Sequence, residues 1–246
     1  MATTLHNKMP EIHGAREQPE PGRVLVLGLG VSGHAAAELA IRRGHDVTVL
    51  DSAHGPALDE RAEALRERGA DVVLDWTPAY APPSVQLAVI SPGIPPTSPL
   101  GALADALPCP VISELEWGYR HCQCPLLAVT GTNGKTTTVE MTVHCLQHAG
   151  IKTQAVGNIG VPLSRACRRS ADADCLVVEV SSYQLERVEK FSPLAVALLN
   201  ITPDHMDRYD CFEDYAHAKF RLLDCGNGSR LFVLRARVEL RSGPPV

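Results

Sequence analysis

From Arg23 to Ser113 the chain alternates short apolar runs with helical stretches, and that alternation leaves few ways to fold. RVLVLGLG reads as a buried strand by its length and β-branching. SGHAAAELAIRRG reads as a helix, with Arg42 and Arg43 in its last turn and Gly44 as its stop. DVTVLD, ADVVLD, LAVISPG and CPVIS supply further strands, and ALDERAEALRERG a second helix. Strands separated by helices join through crossovers, which predicts a parallel sheet covered on both faces.

The first strand–helix turn carries Gly28-Leu29-Gly30-Val31-Ser32-Gly33, a complete G-x-G-x-x-G, and Asp51 closes the second strand eighteen positions beyond Gly33. Glycines there let a phosphate approach the backbone, and the acid accepts from a ribose hydroxyl. The bland reading is a tight turn beside an empty crevice. The strand before, the helix after and Asp51 in register favour a ligand, without saying which nucleotide.

A second apolar run, LLAVT, leads into Gly131-Thr132-Asn133-Gly134-Lys135-Thr136-Thr137 and then a helical pattern. This is a phosphate loop two residues shorter than G-x-x-x-x-G-K-[ST]. Backbone N–H groups of such a turn, with the positive end of the next helix, make an anion site. Lys135 reaches terminal phosphates, and the Thr136 hydroxyl suits a magnesium shell. Just upstream, Ser113-Glu114-Leu115-Glu116 has capping-box spacing and opens a helix through His121.

Two later apolar runs end on polar residues. CLVVEVSSYQLE places Glu179 at a strand's carboxyl end, and PLAVALLNI does the same for Asp204 and His205. Parallel α/β sheets bind ligands at that end. Each residue alone reads as an ordinary strand-end group; together they form a candidate metal–phosphate site. Phe212 to Asp224 reads as a helix containing Lys219, to which sequence physics assigns nothing more.

Composition narrows the partners. The chain has 246 residues, 45% of them apolar, enough for two modest domains. A net charge of −5 gives no electrostatic reason to expect nucleic acid, and no apolar run is long enough to cross a bilayer. The expectation is a cytoplasmic protein with a disordered polar leader over residues 1–22. The eight cysteines read as reduced and mostly structural; His121-Cys122-Gln123-Cys124 lacks a second pair at zinc-finger spacing.

GLGVSG, SPGIPP, TGTNGKTT, GNIGVPL, EVSSYQLE and NITPDHMDRY together resemble the Mur ligase family, whose short ATP loop has the form T-G-T-N-G-K-[ST]. The resemblance runs from about Arg23 to about Leu234. It implies a Rossmann-like parallel-sheet domain over 23–113 that holds a UDP substrate, then a P-loop ATPase-type α/β domain over 114–246. Within the family the motifs are most similar to the branch that adds D-glutamate to UDP-N-acetylmuramoyl-L-alanine. In that likeness Gly28, Gly30, Val31, Ser32, Gly33, Asp51, Ser52 and Ser91 surround the uridine diphosphate. Asn158, Ser181 and Gln184 line the path of the muramoyl-alanine arm. Residues 131–137 hold ATP, Lys135 gripping its phosphates. Thr136 and Glu179 would hold one Mg2+, and His205 with Lys219 a second, Lys219 as a carbamate. Lys135, Glu179, His205 and Lys219 are the implied catalytic set, in a monomer.

The family pattern is also departed from. Its third, amino-acid-binding domain is expected to be absent and its central domain incomplete: SRLFVL resembles a central strand, whereas RARVELRSGPPV matches nothing expected there. Two readings stand beside the ligase. One is a nucleotide-binding fragment without turnover; the other is a nicotinamide-dependent oxidoreductase built on Gly28 to Asp51.

Overall fold

The computed structural model describes residues 22–224 and 237–238. Residues 1–21 of the leader, SRLFVL and Cys225 therefore lie outside the described residues. The first sheet is built from β1 (Arg23–Leu27), β2 (Asp46–Leu50), β3 (Asp71–Val73), β4 (Leu87–Ile90) and β5 (Val111–Ser113), in the order β3-β2-β1-β4-β5. Every pairing is parallel. The crossovers run through α1 (Val31–Arg42), α2 (Pro56–Arg66) and α3 (Pro99–Ala106). Val24 to Leu27 are at most 1% exposed, because helices cover both faces of the central strand. Burying each such side chain contributes about 1.5–3 kcal/mol.

Chain order reverses direction across β1, since β2 lies on one side and β4 on the other. The carboxyl ends of β1 and β4 flank that switch point, where open α/β sheets leave a crevice.

The linking helix α4 (Glu114–His121) packs on α1 of the first sheet and on α6 (Leu163–Ala166) of the second unit. Ser113 caps it, its Oγ accepting from Glu116 N–H at 3.3 Å. The reciprocal half of the expected capping box does not form. Ser113 N–H donates to the Arg187 carbonyl instead, and Glu116, fully buried, accepts from Glu189, Lys190 and Phe191 N–H. A buried carboxylate needs several donors, and the backbone of 189–191 offers three where Ser113 offers one.

The second sheet comprises β6 (Leu126–Thr130), β7 (Ala155–Gly157), β8 (Leu176–Glu179) and β9 (Ala195–Leu198), ordered β7-β8-β6-β9 and again parallel. Between them run α5 (Lys135–His148), α6, a 3₁₀ helix (Cys167–Asp172) and α7 (Ser182–Leu185). After β9 come β10 (Asn200–Ile201), α8 (Phe212–Asp224) and β11 (Arg237–Val238), which pairs in parallel with β10. Two residues of RARVELRSGPPV, the stretch that matched nothing expected of the family, thus form a strand. At two residue pairs the ladder is too short to show as a periodic pattern in the sequence. Among the described residues no helix is long and apolar enough to cross a membrane.

Candidate functional site

The switch point of the first sheet gathers the predicted uridine residues. Gly28 turns with φ +89°, a conformation open to glycine. Ser91, just past β4, donates from Oγ to the Gly28 carbonyl at 3.1 Å. Gly33 lies so close to that carbonyl that a Cβ there would overlap it. Val31 and Ser52 are exposed and Ser32 half-buried around the opening. Asp51 sits differently from the sequence expectation. Its Oδ2 accepts from Leu29 N–H at 2.6 Å and its Oδ1 from Ala53 N–H at 2.9 Å. The carboxylate therefore braces the glycine turn, and any ribose hydroxyl would share oxygens already in use.

The phosphate loop stands at the carboxyl end of β6. Gly134, at φ +83°, caps α5, and helical bonding begins with Thr138 N–H to the Gly134 carbonyl at 3.0 Å. The amides of α5's first turn thus have no intrahelical acceptor and face outward. Two upstream amides of the loop are bonded within the protein. Thr132 N–H donates to the Asn200 carbonyl at 3.0 Å, and Asn133 N–H to Asn200 Oδ1 at 2.9 Å. Asn200 Nδ2 returns a bond to the Asn133 carbonyl at 3.0 Å. Shortening the loop brings it within reach of β10, and the side chain there clamps it. Sequence reasoning missed Asn200; the available signal was an asparagine interrupting an apolar run at a strand's carboxyl end.

Glu179, at the tip of β8 and 2% exposed, faces the first turn of α5. Thr136 Oγ1 donates to its Oε2 at 2.7 Å, and Asn158 Nδ2 to its Oε1 at 2.8 Å. Hydroxyl and carboxylate oxygens, with Lys135 alongside, fit a small hard cation that keeps waters and phosphate oxygens as its other ligands. Lys135 Nζ meanwhile donates to the Thr132 carbonyl at 2.8 Å. Thr137 is exposed beside it.

Lys219 comes up from α8 beneath the same loop. It is 1% exposed and donates from Nζ to the Gly131 carbonyl at 2.9 Å. Burial, and then the charge of Lys135, pull its ammonium down to about 7, so a neutral amine is accessible there. His205 is exposed, in a left-handed turn at φ +57°. Tyr215 separates the two: Lys219 Nζ lies 4.7 Å from its ring centre and the His205 ring 6.1 Å. An amine and an imidazole are not a donor set for magnesium, and among the described residues no group of three His, Cys, Asp or Glu could hold a metal ion. The nearby carboxylate is Asp204, whose Oδ2 lies 3.6 Å from His205 Nε2.

Ser181 and Gln184 form a reciprocal capping box at the start of α7. Gln184, 1% exposed, accepts at Oε1 from Ser181 N–H at 3.0 Å, and its own N–H donates to Ser181 Oγ at 3.3 Å. Their first role is to hold α7; half-buried Ser181 is the member that faces outward. Close by, Arg208 joins the two sheets' loops, donating to Glu186 at 2.6 and 3.0 Å and to the carbonyls of Pro92 and Ile94.

Comparison with known proteins bears on this geometry. Residues 129–240 match the model of the Mur ligase middle domain, and 4–73 that of the alanine dehydrogenase/PNT C-terminal domain. The first match runs past Leu234, where the sequence resemblance was expected to stop. A UDP-N-acetylmuramoylalanine–D-glutamate ligase of Pelotomaculum thermopropionicum is 40% identical, covering 90% of this chain and 53% of the relative. The same-named ligase of Frankia casuarinae is 44% identical, covering 80% and 42%. The chain spans about half the length of the curated relatives it matches. Among solved structures, UDP-N-acetylmuramate:L-alanyl-gamma-D-glutamyl-meso-diaminopimelate ligase from Neisseria meningitides aligns with TM-score 0.56 at 21% identity, over 87% of this chain and 71% of that one. That likeness supports the fold.

Proposed function

Because the chain belongs to the Mur ligase family, we propose that it serves ATP-dependent ligation in peptidoglycan-precursor synthesis, joining D-glutamate to UDP-N-acetylmuramoyl-L-alanine. The observation that carries this reading is the line Thr136–Glu179–Asn158. One buried carboxylate bonds on one side to the phosphate loop and on the other to a residue expected on the substrate path.

The roles follow from charge. A carboxylate is a poor acyl donor, and ATP makes it a good one by forming an acyl phosphate, which the amine of D-glutamate then attacks with loss of phosphate. Two anions must approach in the first step, so cationic positioning dominates. In this reading Lys135 and the first-turn amides of α5 receive the terminal phosphates, while Thr136 and Glu179 hold magnesium. Bound magnesium would neutralise phosphate charge. Lys219, as a carbamate, and His205 would flank a second ion. Residues 23–113 would hold the uridine diphosphate through Gly28, Gly30, Ser32 and Ser91, and residues from 114 onward the ATP. We further propose a monomer working in the cytoplasm.

Calorimetry on the folded chain tests the ATP assignment. Lys135→Ala should weaken ATP binding at least about tenfold, and Glu179→Ala should remove most of its magnesium dependence. Unchanged nucleotide affinity in both variants would sink it. Ligation is tested by phosphate release with UDP-N-acetylmuramoyl-L-alanine, with and without D-glutamate; release indifferent to D-glutamate removes that assignment. The match of residues 4–73 to an alanine dehydrogenase domain favours a second reading of the first sheet, as a nicotinamide nucleotide site. Tighter binding of NAD than of UDP sugars would establish it.

A further inference from the structure

The far end of α1 carries a second concentration of charge, about 18 Å along the helix from the glycine turn. There α1 approaches α6 and the 3₁₀ helix around an open hollow of about 640 Å³, into which Arg42, Arg43, Arg165, Arg168 and Arg169 converge beside Gln154. The chain as a whole is acidic, at −5, so this grouping is not a consequence of composition.

Ordinary structural work explains part of it. Arg42 and Arg43 end α1, where cations complement the helix dipole. Arg165 donates to His34 Nδ1 at 3.1 Å and to Glu38 at 3.2 Å. Glu38 also receives Arg68 at 2.8 Å, so the carboxylate that Arg165 reaches is already shared. Arg168 and Arg169 have no such explanation. Both are exposed on the 3₁₀ helix, and neither they nor Arg42 has a carboxylate within ion-pair distance among the described residues. Arg168 and Arg169 therefore add exposed positive charge to a hollow already lined by other arginines.

We infer that this hollow is a binding site for a small oligophosphate, read through its phosphate chain. Guanidinium forks match phosphate oxygens in pairs, and several forks converging on one hollow suit several linked phosphates. The volume lies in the range of small-molecule sites and is concave, unlike the flat surface an acidic protein would cover. Among the described residues no aromatic side chain lines it, so these offer a nucleobase no stacking partner and a nucleic acid strand no platform. The hollow lies apart from the phosphate loop, and the inference stands whether or not the chain is a ligase.

The test is calorimetry of the whole chain carrying Lys135→Ala, which weakens the phosphate loop, with sodium tripolyphosphate, ATP, orthophosphate and hexaglutamate as probes. Tripolyphosphate should still bind, at least about tenfold tighter than orthophosphate, and adding Arg168→Ala and Arg169→Ala should weaken it at least about tenfold. Both arginines are exposed, and circular dichroism would verify that the fold is kept. ATP should bind no tighter than tripolyphosphate; clearly tighter ATP binding would overturn recognition through the phosphate chain alone. Undiminished tripolyphosphate binding in the arginine variant overturns the site. So does hexaglutamate binding as well as tripolyphosphate, because the hollow would then be reading an acidic peptide.

Discussion

Single residues in this chain are set by how much water they lose. Glu114 is fully buried, with one oxygen accepting from Ser164 N–H at 2.7 Å and the other without a partner, and burial raises its carboxyl from the ordinary 4.5 to about 7. Below about pH 4.5 both folded and unfolded chains hold this proton. Between 4.5 and 7 only the folded chain does, so stability falls as pH rises through that window, by roughly 3 kcal/mol in all. His121, pulled down to about 4 by burial, works in the opposite direction, losing stability as pH falls from 6.5. Glu114→Gln isolates the first effect. Its stability relative to the unsubstituted chain should improve by roughly 3 kcal/mol between pH 5 and pH 8 in urea titrations. Parallel pH curves for the two proteins would refute the burial argument. The sequence showed Glu114 only as one acid in a helix's first turn; desolvation by α6, some fifty residues later, has no local signature.

Elements were more legible than the contacts between them. The alternating runs predicted β1 to β5, β6, β8 and β9 because each is a contiguous apolar stretch of chain, whereas the three-residue β7 was too short to show. The loops at the strand ends were also visible, since glycine, lysine and threonine have few other reasons to occur in that order. The clamp by Asn200, the internal use of Asp51 and the approach of Lys219 from α8 were not, because each depends on which strands become neighbours. The glycine turn between β1 and α1 separates these kinds of information. A Cβ at Gly33 would overlap the Gly28 carbonyl, whereas nothing lies within 4 Å of one at Gly30. Gly33→Ala should therefore cost about 1–3 kcal/mol or more of stability, read as a lowered urea midpoint. Gly30→Ala should leave stability within about 0.5 kcal/mol and instead weaken nucleotide binding, by blocking the approach of phosphate. Equal destabilisation by both would mean that the turn is purely structural.

At the scale of the molecule, the two sheets are tied on one side by α4 and on the other by Arg208. Its guanidinium, only 10% exposed, holds Glu186 and two carbonyls of the 92–94 loop, and lies 4.2 Å from the centre of the Tyr183 ring. Arg208→Ala should cost about 2–4 kcal/mol and speed hydrogen exchange around residues 92–96 before that of either sheet's strands. Arg208→Lys should not restore protection, since one ammonium cannot reach four acceptors in a fixed plane. Full rescue by lysine would reduce the tie to simple charge. The parallel pairing of β6 with β8 and β9 has a further consequence, felt before the molecule is complete. Thr130 leaves the ribosome with both edges of its strand bare, and its partner carbonyl at Val180 is 50 residues behind. At about 5–20 residues per second that is a wait of roughly 3–10 seconds. Throughout it a strand as apolar as LLAVT is open to any neighbouring nascent chain, so the yield of this protein in a cell should depend on translation speed and on what shields the emerging segment.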